Sequence, residues 1–155
     1  MDGFDASEWA AFIRRHQNPL VCAGQGCLEI ELDGKKLFTY AREVALRLDC
    51  PIAATGNVQA SLAKTGEKVR SKKMWLAELF CYLQGTWREP LLEKGPDLVI
   101  LAGYPPWMVR GMVDGVRAVS FVHLGPGRLE NASRTVGEAP LQEWKRALDL
   151  LVEAL

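Results

Sequence analysis

Two glycines, Gly24 and Gly26, are the residues whose type and spacing best suit the binding of a ligand. They follow a short apolar run over residues 19–23, and a Gly-x-Gly turn after a strand lets a pyrophosphate approach the backbone closely. The full dinucleotide motif needs a third glycine at position 29, where this chain has Glu29, and the next clear helix is predicted only near Lys36. We therefore expect either a nonstandard nucleotide loop or a plain turn.

Two further apolar runs, over residues 51–55 and 98–102, also stop at a glycine. Runs this short and this apolar predict strands that are covered on both faces. In parallel sheets, ligands bind beyond the carboxyl ends of the strands, where a glycine leaves room for close approach. With FAD or NAD(P) as the candidate cofactor, the residues predicted to bind it are Gly24, Gln25, Gly26, Thr55, Gly56, Gly103 and His123.

The two histidines of the chain, His16 and His123, are the natural candidates for acid–base chemistry. His16 is predicted on the apolar face of a first helix, where a structural role is expected. His123 is better placed, directly after a predicted fourth strand. No nucleophile elbow, paired carboxylates or metal-ligand spacing accompanies it, so we expect no catalytic residues. A stand-alone small-molecule enzyme that uses Cys27 or His123 is the weakest alternative.

Four cysteines, Cys22, Cys27, Cys50 and Cys81, are spread thinly through the chain. Three of them lie in or beside apolar runs, which favours buried free thiols. The C-x4-C spacing of Cys22 and Cys27 would also suit a pair of cluster ligands. Because no second pair and no nearby histidine completes such a site, we expect no metal in this chain.

Helical periodicity fills the stretches between the apolar runs, and this alternation is typical of βαβ units with a parallel sheet. The predicted fold class is α/β, a three-layer Rossmann-like parallel sheet with helices on both faces. At 155 residues and 48% hydrophobic composition, the chain is expected to form a single domain over residues 1–155. Helices are predicted from Asp5, over residues 37–48, around 58–64, over 74–83 and 109–116, and from Pro140, with a fourth strand over 118–122.

The charge balance argues against two classes of partner. Lysine and arginine together number 19, as do aspartate and glutamate, so the net charge is zero. Such a chain has no overall basic field that would draw it to nucleic acid or to an anionic membrane. No apolar stretch reaches the ~20 residues of a membrane helix, and the acidic start is unlike a signal peptide. We expect a cytoplasmic protein that binds neither nucleic acid nor membrane.

One basic cluster interrupts this balance, because Lys68, Arg70, Lys72 and Lys73 are opposed only by Glu67. Clusters of this kind usually form a solvated surface. The alternative is docking to an acidic partner or to nucleotide phosphates. The sequence leaves both open.

The segment over residues 74–83 is predicted as a helix that is apolar nearly all round, with Glu78 its only charge. Such a helix must be covered on more than one side, so it lies either centrally in the core or in an oligomer or partner interface. On the second alternative we expect a homo-oligomer. The residues predicted for the partner surface are Lys72, Lys73, Trp75, Phe80, Tyr82 and Trp87.

Five segments, taken in order, resemble one known family, the epsilon subunit of the archaeal carbon monoxide dehydrogenase and acetyl-CoA decarbonylase/synthase complex. The most specific are Pro-Ile-Ala-Ala-Thr-Gly over residues 51–56 and the Asn-Ala-Ser segment over 130–137. The others lie over residues 18–24, 79–87 and 96–103. The family looks like a Rossmann-type domain of the deoxyhypusine synthase (DHS-like) kind, a NAD/FAD-binding fold.

The resemblance implies an accessory subunit rather than a catalyst. In the family, which serves acetyl-CoA biosynthesis and methanogenesis, the metal clusters lie in a large catalytic subunit onto which the small subunit docks, and a flavin or nicotinamide site for electron transfer has been suggested. This chain departs from the pattern after the fourth strand, where it has His123-Leu-Gly125 and relatives often have an acidic residue. We expect an epsilon-like subunit whose partner is the large carbon monoxide dehydrogenase subunit. A stand-alone FAD- or NAD(P)-binding domain is the alternative.

Overall fold

The computed structural model describes residues 3–66 and 68–155. The strands are β1 (Pro19–Ala23), β2 (Glu31–Leu32), β3 (Lys35–Lys36), β4 (Ile52–Ala54), β5 (Ser71–Lys73), β6 (Leu98–Ala102), β7 (Ser120–His123) and β8 (Arg134–Thr135). The helices are α1 (Ala6–Arg14), α2 (Gly26–Glu29), α3 (Leu37–Leu48), α4 (Gly56–Lys64), α5 (Leu76–Gln84), α6 (Pro106–Asp114) and α7 (Leu141–Ala154). None of the described helices combines the length and the apolar composition that a bilayer span requires.

Six of the strands form one parallel sheet in the order β5-β4-β1-β6-β7-β8, and β2 and β3 form a separate antiparallel pair. Helices cover both faces of the sheet, which confirms the predicted three-layer α/β fold. Val21 packs with residues of α1, α3 and α7, whereas its neighbour Cys22 packs with residues of α5 and α6. Every residue of β6 is buried. A strand covered in this way is apolar throughout, because neither of its faces reaches water.

The first helix begins as predicted. Asp5 is its N-cap, and the side chain accepts a 3.0 Å hydrogen bond from the backbone N–H of Glu8. Phe12 lies on the buried face, and the helix packs against α7. The helix ends before His16, whose Nδ1–H donates a 2.9 Å hydrogen bond to the carbonyl oxygen of Phe12. This contact gives His16 a local structural role.

Two strands of the sheet are missing from the sequence-based prediction, β5 at one edge and β8 at the other. Both are short and polar, so neither has the apolar run that identifies the interior strands. The basic cluster therefore includes an edge strand. Between β1 and α3, where no element is predicted, the chain forms the short helix α2 and the strands β2 and β3.

The path of the chain leaves a crevice at the carboxyl ends of the two central strands, β1 and β6. From β1 the chain passes through α3 to β4 on one side, and from β6 it passes through α6 to β7 on the other. The two strands are direct neighbours, paired from Pro19 opposite Leu98 to Ala23 opposite Ala102. Connections that leave neighbouring strands in opposite directions make room for a ligand at the carboxyl ends of those strands.

Asp97 connects the segments that precede β1 and β6, at the amino-terminal ends of these two strands. Its Oδ2 and Oδ1 accept 2.8 Å hydrogen bonds from the backbone N–H groups of Gln17 and Asn18. We expect Asp97→Ala to lower the free energy of unfolding by about 2 kcal/mol, because two hydrogen bonds to a charged acceptor are lost at a partly exposed site. Urea titration followed by circular dichroism measures this loss. Asp97→Asn, which keeps one acceptor oxygen, should lose less, and an equal loss in both variants would contradict the assignment.

Candidate functional site

A crevice of about 370 Å³ lies at the carboxyl edge of the sheet, above β1 and β6. Its volume is near the lower end of the ~300–1,000 Å³ that small-molecule sites usually have. The surface is mainly apolar, with the side chains of Ile30, Tyr104 and Met108 among its walls. The full lining consists of Gln25, Gly26, Glu29, Ile30, Thr55, Gly103, Tyr104, Pro105, Met108 and Pro126.

The glycines at the head of this crevice pack against each other rather than around an open space. A Cβ added to Gly24 would lie 2.6 Å from a ring carbon of Tyr104, and one added to Gly26 would lie 2.8 Å from the carbonyl oxygen of Gly103. The backbone N–H of Gly26 donates a 3.1 Å hydrogen bond to that same oxygen. The missing side chains thus let the loop after β1 contact the loop after β6. The Gly-Gln-Gly turn does not fit a pyrophosphate, because protein atoms occupy the space that the glycines leave.

Four of the seven residues predicted to bind a cofactor line the crevice, namely Gln25, Gly26, Thr55 and Gly103. The other three, Gly24, Gly56 and His123, are not part of the lining. Gly24 lies beneath the ring of Tyr104. Gly56 is the first residue of α4 and lies beside the side chain of Lys73.

His123 requires a correction, because its side chain is fully buried and does not reach the crevice. Its Nε2–H donates a 2.8 Å hydrogen bond to the carbonyl oxygen of Tyr104. Burial lowers the pKa of His123 below its usual range, and hydrogen bonding to the backbone of Tyr104 and Gly127 opposes this only in part. A neutral imidazole held in the core fixes the loop after β6 to β7.

Thr55 brings the start of α4 to the crevice. Thr55 is the N-cap residue, yet its side chain makes no capping hydrogen bond, and Oγ1 is buried without a hydrogen-bond partner among the described residues. The Lys73 side chain lies over Gly56, at the helix end where the backbone dipole is already positive. A cation and an uncapped helix N-terminus placed together favour an anionic group between them.

Three of the four cysteines are buried free thiols, as predicted, and Cys81 is exposed. Burial raises the pKa of Cys27 to about 12 and that of Cys50 to about 12, and it raises the pKa of Cys22 further. The Cys27 thiol also donates a 3.3 Å hydrogen bond to the carbonyl oxygen of Ala102. Protonated, buried thiols are poor nucleophiles and poor ligands. Within residues 3–66 and 68–155, no three histidine, cysteine or acidic side chains group as metal ligands would.

A second surface surrounds β5, and we call it the β5 surface: Arg70, Ser71, Lys72, Lys73 and Trp75. Trp75 is 68% exposed, which is unusual for so large an apolar side chain. Lys72 forms a 2.5 Å ion pair with the buried carboxylate of Glu89. The hydrogen bond to Glu89 raises the pKa of Lys72, so the lysine remains charged.

Phe80, predicted as part of the partner surface, is buried and does not belong to it. Its ring stacks on that of Phe121 with 5.8 Å between centroids, which places this side of α5 in the core. Tyr82 and Trp87 are half-buried and contact each other, and the Trp87 indole N–H donates a 3.0 Å hydrogen bond to the carbonyl oxygen of Leu92. The apolar segment over residues 74–83 is thus divided between core and surface.

The sequence-based prediction misses the residues that follow β6. Tyr104, Pro105 and Met108 line the crevice, and Trp107 is 79% exposed beside them. Their position directly after the strand-ending Gly103 is the signal that would have identified them, because this is where a parallel sheet places its ligand-binding loops.

The described residues offer two surfaces on which a function can be built. One is the mainly apolar crevice at the carboxyl edge of the sheet, and the other is the basic β5 surface with its exposed tryptophan. Comparison with known proteins favours neither of them. The chain matches no protein-family model, and no curated protein is significantly similar to it.

Proposed function

We propose that this chain is an accessory, epsilon-like subunit of a carbon monoxide dehydrogenase/acetyl-CoA decarbonylase/synthase complex. It docks on the large metal-cluster subunit and supports its electron transfer, without catalytic residues of its own. The observation that carries the proposal is the exposed Trp75 beside the basic edge strand β5. The family resemblance of the sequence supplies the identity of the partner.

The composition of the β5 surface is that of a protein interface. Tryptophan and arginine are the residues most enriched among interface hot spots, and both occur here as Trp75 and Arg70. Lys73 adds a positive charge on a chain whose net charge is zero. Local charge on a neutral chain orients an oppositely charged partner without attracting polyanions in general.

Three of the groups that could perform acid–base or nucleophilic chemistry lie in the core. His123, Cys22 and Cys27 are all buried, and burial disfavours the charged form of each. Their placement supports a binding role over a catalytic one.

Co-purification from the source organism tests the proposal. The tagged chain should retain a large subunit that contains nickel and iron–sulfur clusters, which peptide mass spectrometry and metal analysis identify together. We also expect the purified chain to form a homo-oligomer, which light scattering after gel filtration measures. Recovery of the chain without any large iron–sulfur protein would contradict the proposed function.

A second candidate function is the binding of a nucleotide in the crevice. It is favoured by the unpartnered Oγ1 of Thr55 at the uncapped start of α4, which would suit a phosphate group. The apolar walls formed by Tyr104 and Met108 would suit a flat ring system. On this account the phosphate contacts α4 rather than the Gly-Gln-Gly turn.

Calorimetric titration with FAD, NAD and NADP tests the second candidate. Binding that is weakened in Thr55→Val, which removes the hydroxyl and keeps the shape, would support a phosphate at α4. Thr65→Val is the matched control, because it makes the same exchange at the opposite end of α4, away from the crevice. The absence of heat with all three nucleotides at high micromolar concentration would exclude this candidate.

A further inference from the structure

The β5 strand is hydrogen-bonded on one side only. In the described part of the chain its single neighbour is β4, with Ile52 opposite Ser71 and Ala54 opposite Lys73. The backbone N–H of Ile52 donates to the carbonyl oxygen of Arg70, at 2.9 Å. In a parallel strand the N–H and C=O groups of alternate residues point the same way, so those of Lys72 also face β4. The backbone groups of Ser71 and Lys73 therefore point outward, toward the open edge.

A groove of about 400 Å³ lies next to β5. Residues 70–72 form one wall and residues 89–91 form the other. Two side-chain contacts connect the walls, the ion pair between Lys72 and Glu89 and a 3.4 Å hydrogen bond from the Arg70 guanidinium to the carbonyl oxygen of Leu91. These contacts hold residues 89–91 in place against β5, so the groove has a fixed shape in the folded chain.

Charge and apolar surface continue along the same edge. Lys68, Arg70 and Lys73 are exposed, and Glu89, the acidic residue that lines the groove, is already neutralised by Lys72. Trp75 lies just past the carboxyl end of the strand and exposes most of its ring. An occupant that satisfies the backbone groups, the positive charges and the tryptophan together must be an extended, acidic segment of polypeptide.

We propose that β5 binds an extended acidic segment of a partner protein, which adds as a seventh strand at this edge of the sheet. Backbone groups of Ser71 and Lys73 would pair with the added strand, while alternate side chains would meet the basic residues and Trp75. Strand addition of this kind uses the exposed edge that sheet proteins otherwise protect. The inference rests on the proposed docking function and names the chemistry by which the partner is recognised.

Two synthetic hexapeptides test the inference on the isolated chain, one alternating glutamate with valine and the other alternating lysine with valine. In amide NMR spectra, the glutamate peptide should shift the resonances of Ser71 and Lys73 and slow their exchange with solvent. The Lys72 amide, which bonds β4 in both states, is the internal control and should keep its exchange rate. Binding of the glutamate peptide should weaken between about 50 mM and about 500 mM salt, because screening removes the charge attraction.

Ser71→Pro is the decisive variant, because it removes one outward N–H and leaves the hydrogen bonds to β4 in place. It should weaken binding of the glutamate peptide by about tenfold. Ser71→Thr is the matched control, since it keeps the N–H and the hydroxyl that Gln59 contacts. Lys73→Glu, which alters only an exposed side chain, should also weaken binding and does not depend on the fold of the proline variant.

Three results would overturn the inference: no binding of the glutamate peptide, equal binding of the lysine peptide, or amide shifts that occur away from β5. These results are distinguishable from failure of the proposed function. If the large subunit co-purifies but the glutamate peptide does not bind, strand addition is wrong while the docking function stands. If the peptide binds as described but no large iron–sulfur protein co-purifies, the edge strand binds acidic segments and the proposed partner is wrong.

Discussion

Gly103→Ala is expected to lower the free energy of unfolding by about 2–5 kcal/mol. The residue has a φ of +77°, and the left-handed region costs a residue with a Cβ about 1–2 kcal/mol. The new Cβ would lie 2.5 Å from the backbone nitrogen of Cys27 and 2.9 Å from the carbonyl oxygen of Gly24. Neither atom can move without separating the loops after β1 and β6, which adds about 1–3 kcal/mol of overpacking.

Gly111→Ala, only eight positions along the chain, is the matched control for this variant. Gly111 is exposed inside α6, and an added Cβ would meet nothing within 4 Å. It should stabilise the fold by about 0.5–1 kcal/mol, because alanine is the better helix former. Urea unfolding curves measure both variants. If Gly103→Ala proved as stable as the native chain, the packing of the two loops at the head of the crevice would be described wrongly.

Acidification is expected to destabilise the fold through His123. Burial lowers the pKa of His123 in the folded state, whereas in the unfolded chain it titrates near 6.5. As the pH falls below about 6.5, the unfolded chain takes up a proton that the folded chain does not, so stability falls. The loss reaches at most about 1.4 kcal/mol for each pH unit and continues down to the folded-state pKa. Above pH 7 the contribution should be constant.

Unfolding curves measured between pH 5 and pH 7.5 test this dependence. The window avoids most carboxylate titration, which lies at lower pH. His123→Gln keeps a donor toward the carbonyl oxygen of Tyr104 and should flatten the slope, even if its stability at pH 7.5 is lower. His16→Gln makes the same substitution at the other histidine and is the control for the loss of an imidazole as such. A native chain whose stability does not change over this window would contradict the burial of a neutral His123.

The interior strands of the sheet could be predicted from the sequence, because a strand that is buried on both faces consists almost entirely of apolar residues. The apolar runs over residues 19–23, 51–55 and 98–102 correspond to β1, β4 and β6. The edge strands are short and polar, so no apolar run marks them in the sequence. The edge strands β5 and β8 form because the neighbouring strands β4 and β7 offer them backbone hydrogen bonds. Such pairing depends on the tertiary structure, so neither the periodicity nor the strand propensity of the sequence reveals it.

The position of the candidate site could be predicted from the sequence, but only some of the residues that line it could. The edge of the sheet follows from the strand ends, and four predicted residues lie there. That Gly24, Gly26 and Gly103 pack on one another depends on β1 and β6 being neighbours, which the sequence order does not reveal. The burial of Phe80 was equally hidden, since a helix that is apolar nearly all round does not mark which face lies in the core.

We propose that docking takes place on the β5 surface and not in the crevice. The most direct test is the yield of the large iron–sulfur subunit that co-purifies with three forms of the tagged chain: native, Arg70→Glu with Trp75→Ser, and Met108→Lys. All these side chains are exposed, and the last one obstructs only the crevice. We expect the native chain and Met108→Lys to retain the large subunit and the double variant to lose it. Loss with Met108→Lys and retention with the double variant would contradict docking on the β5 surface.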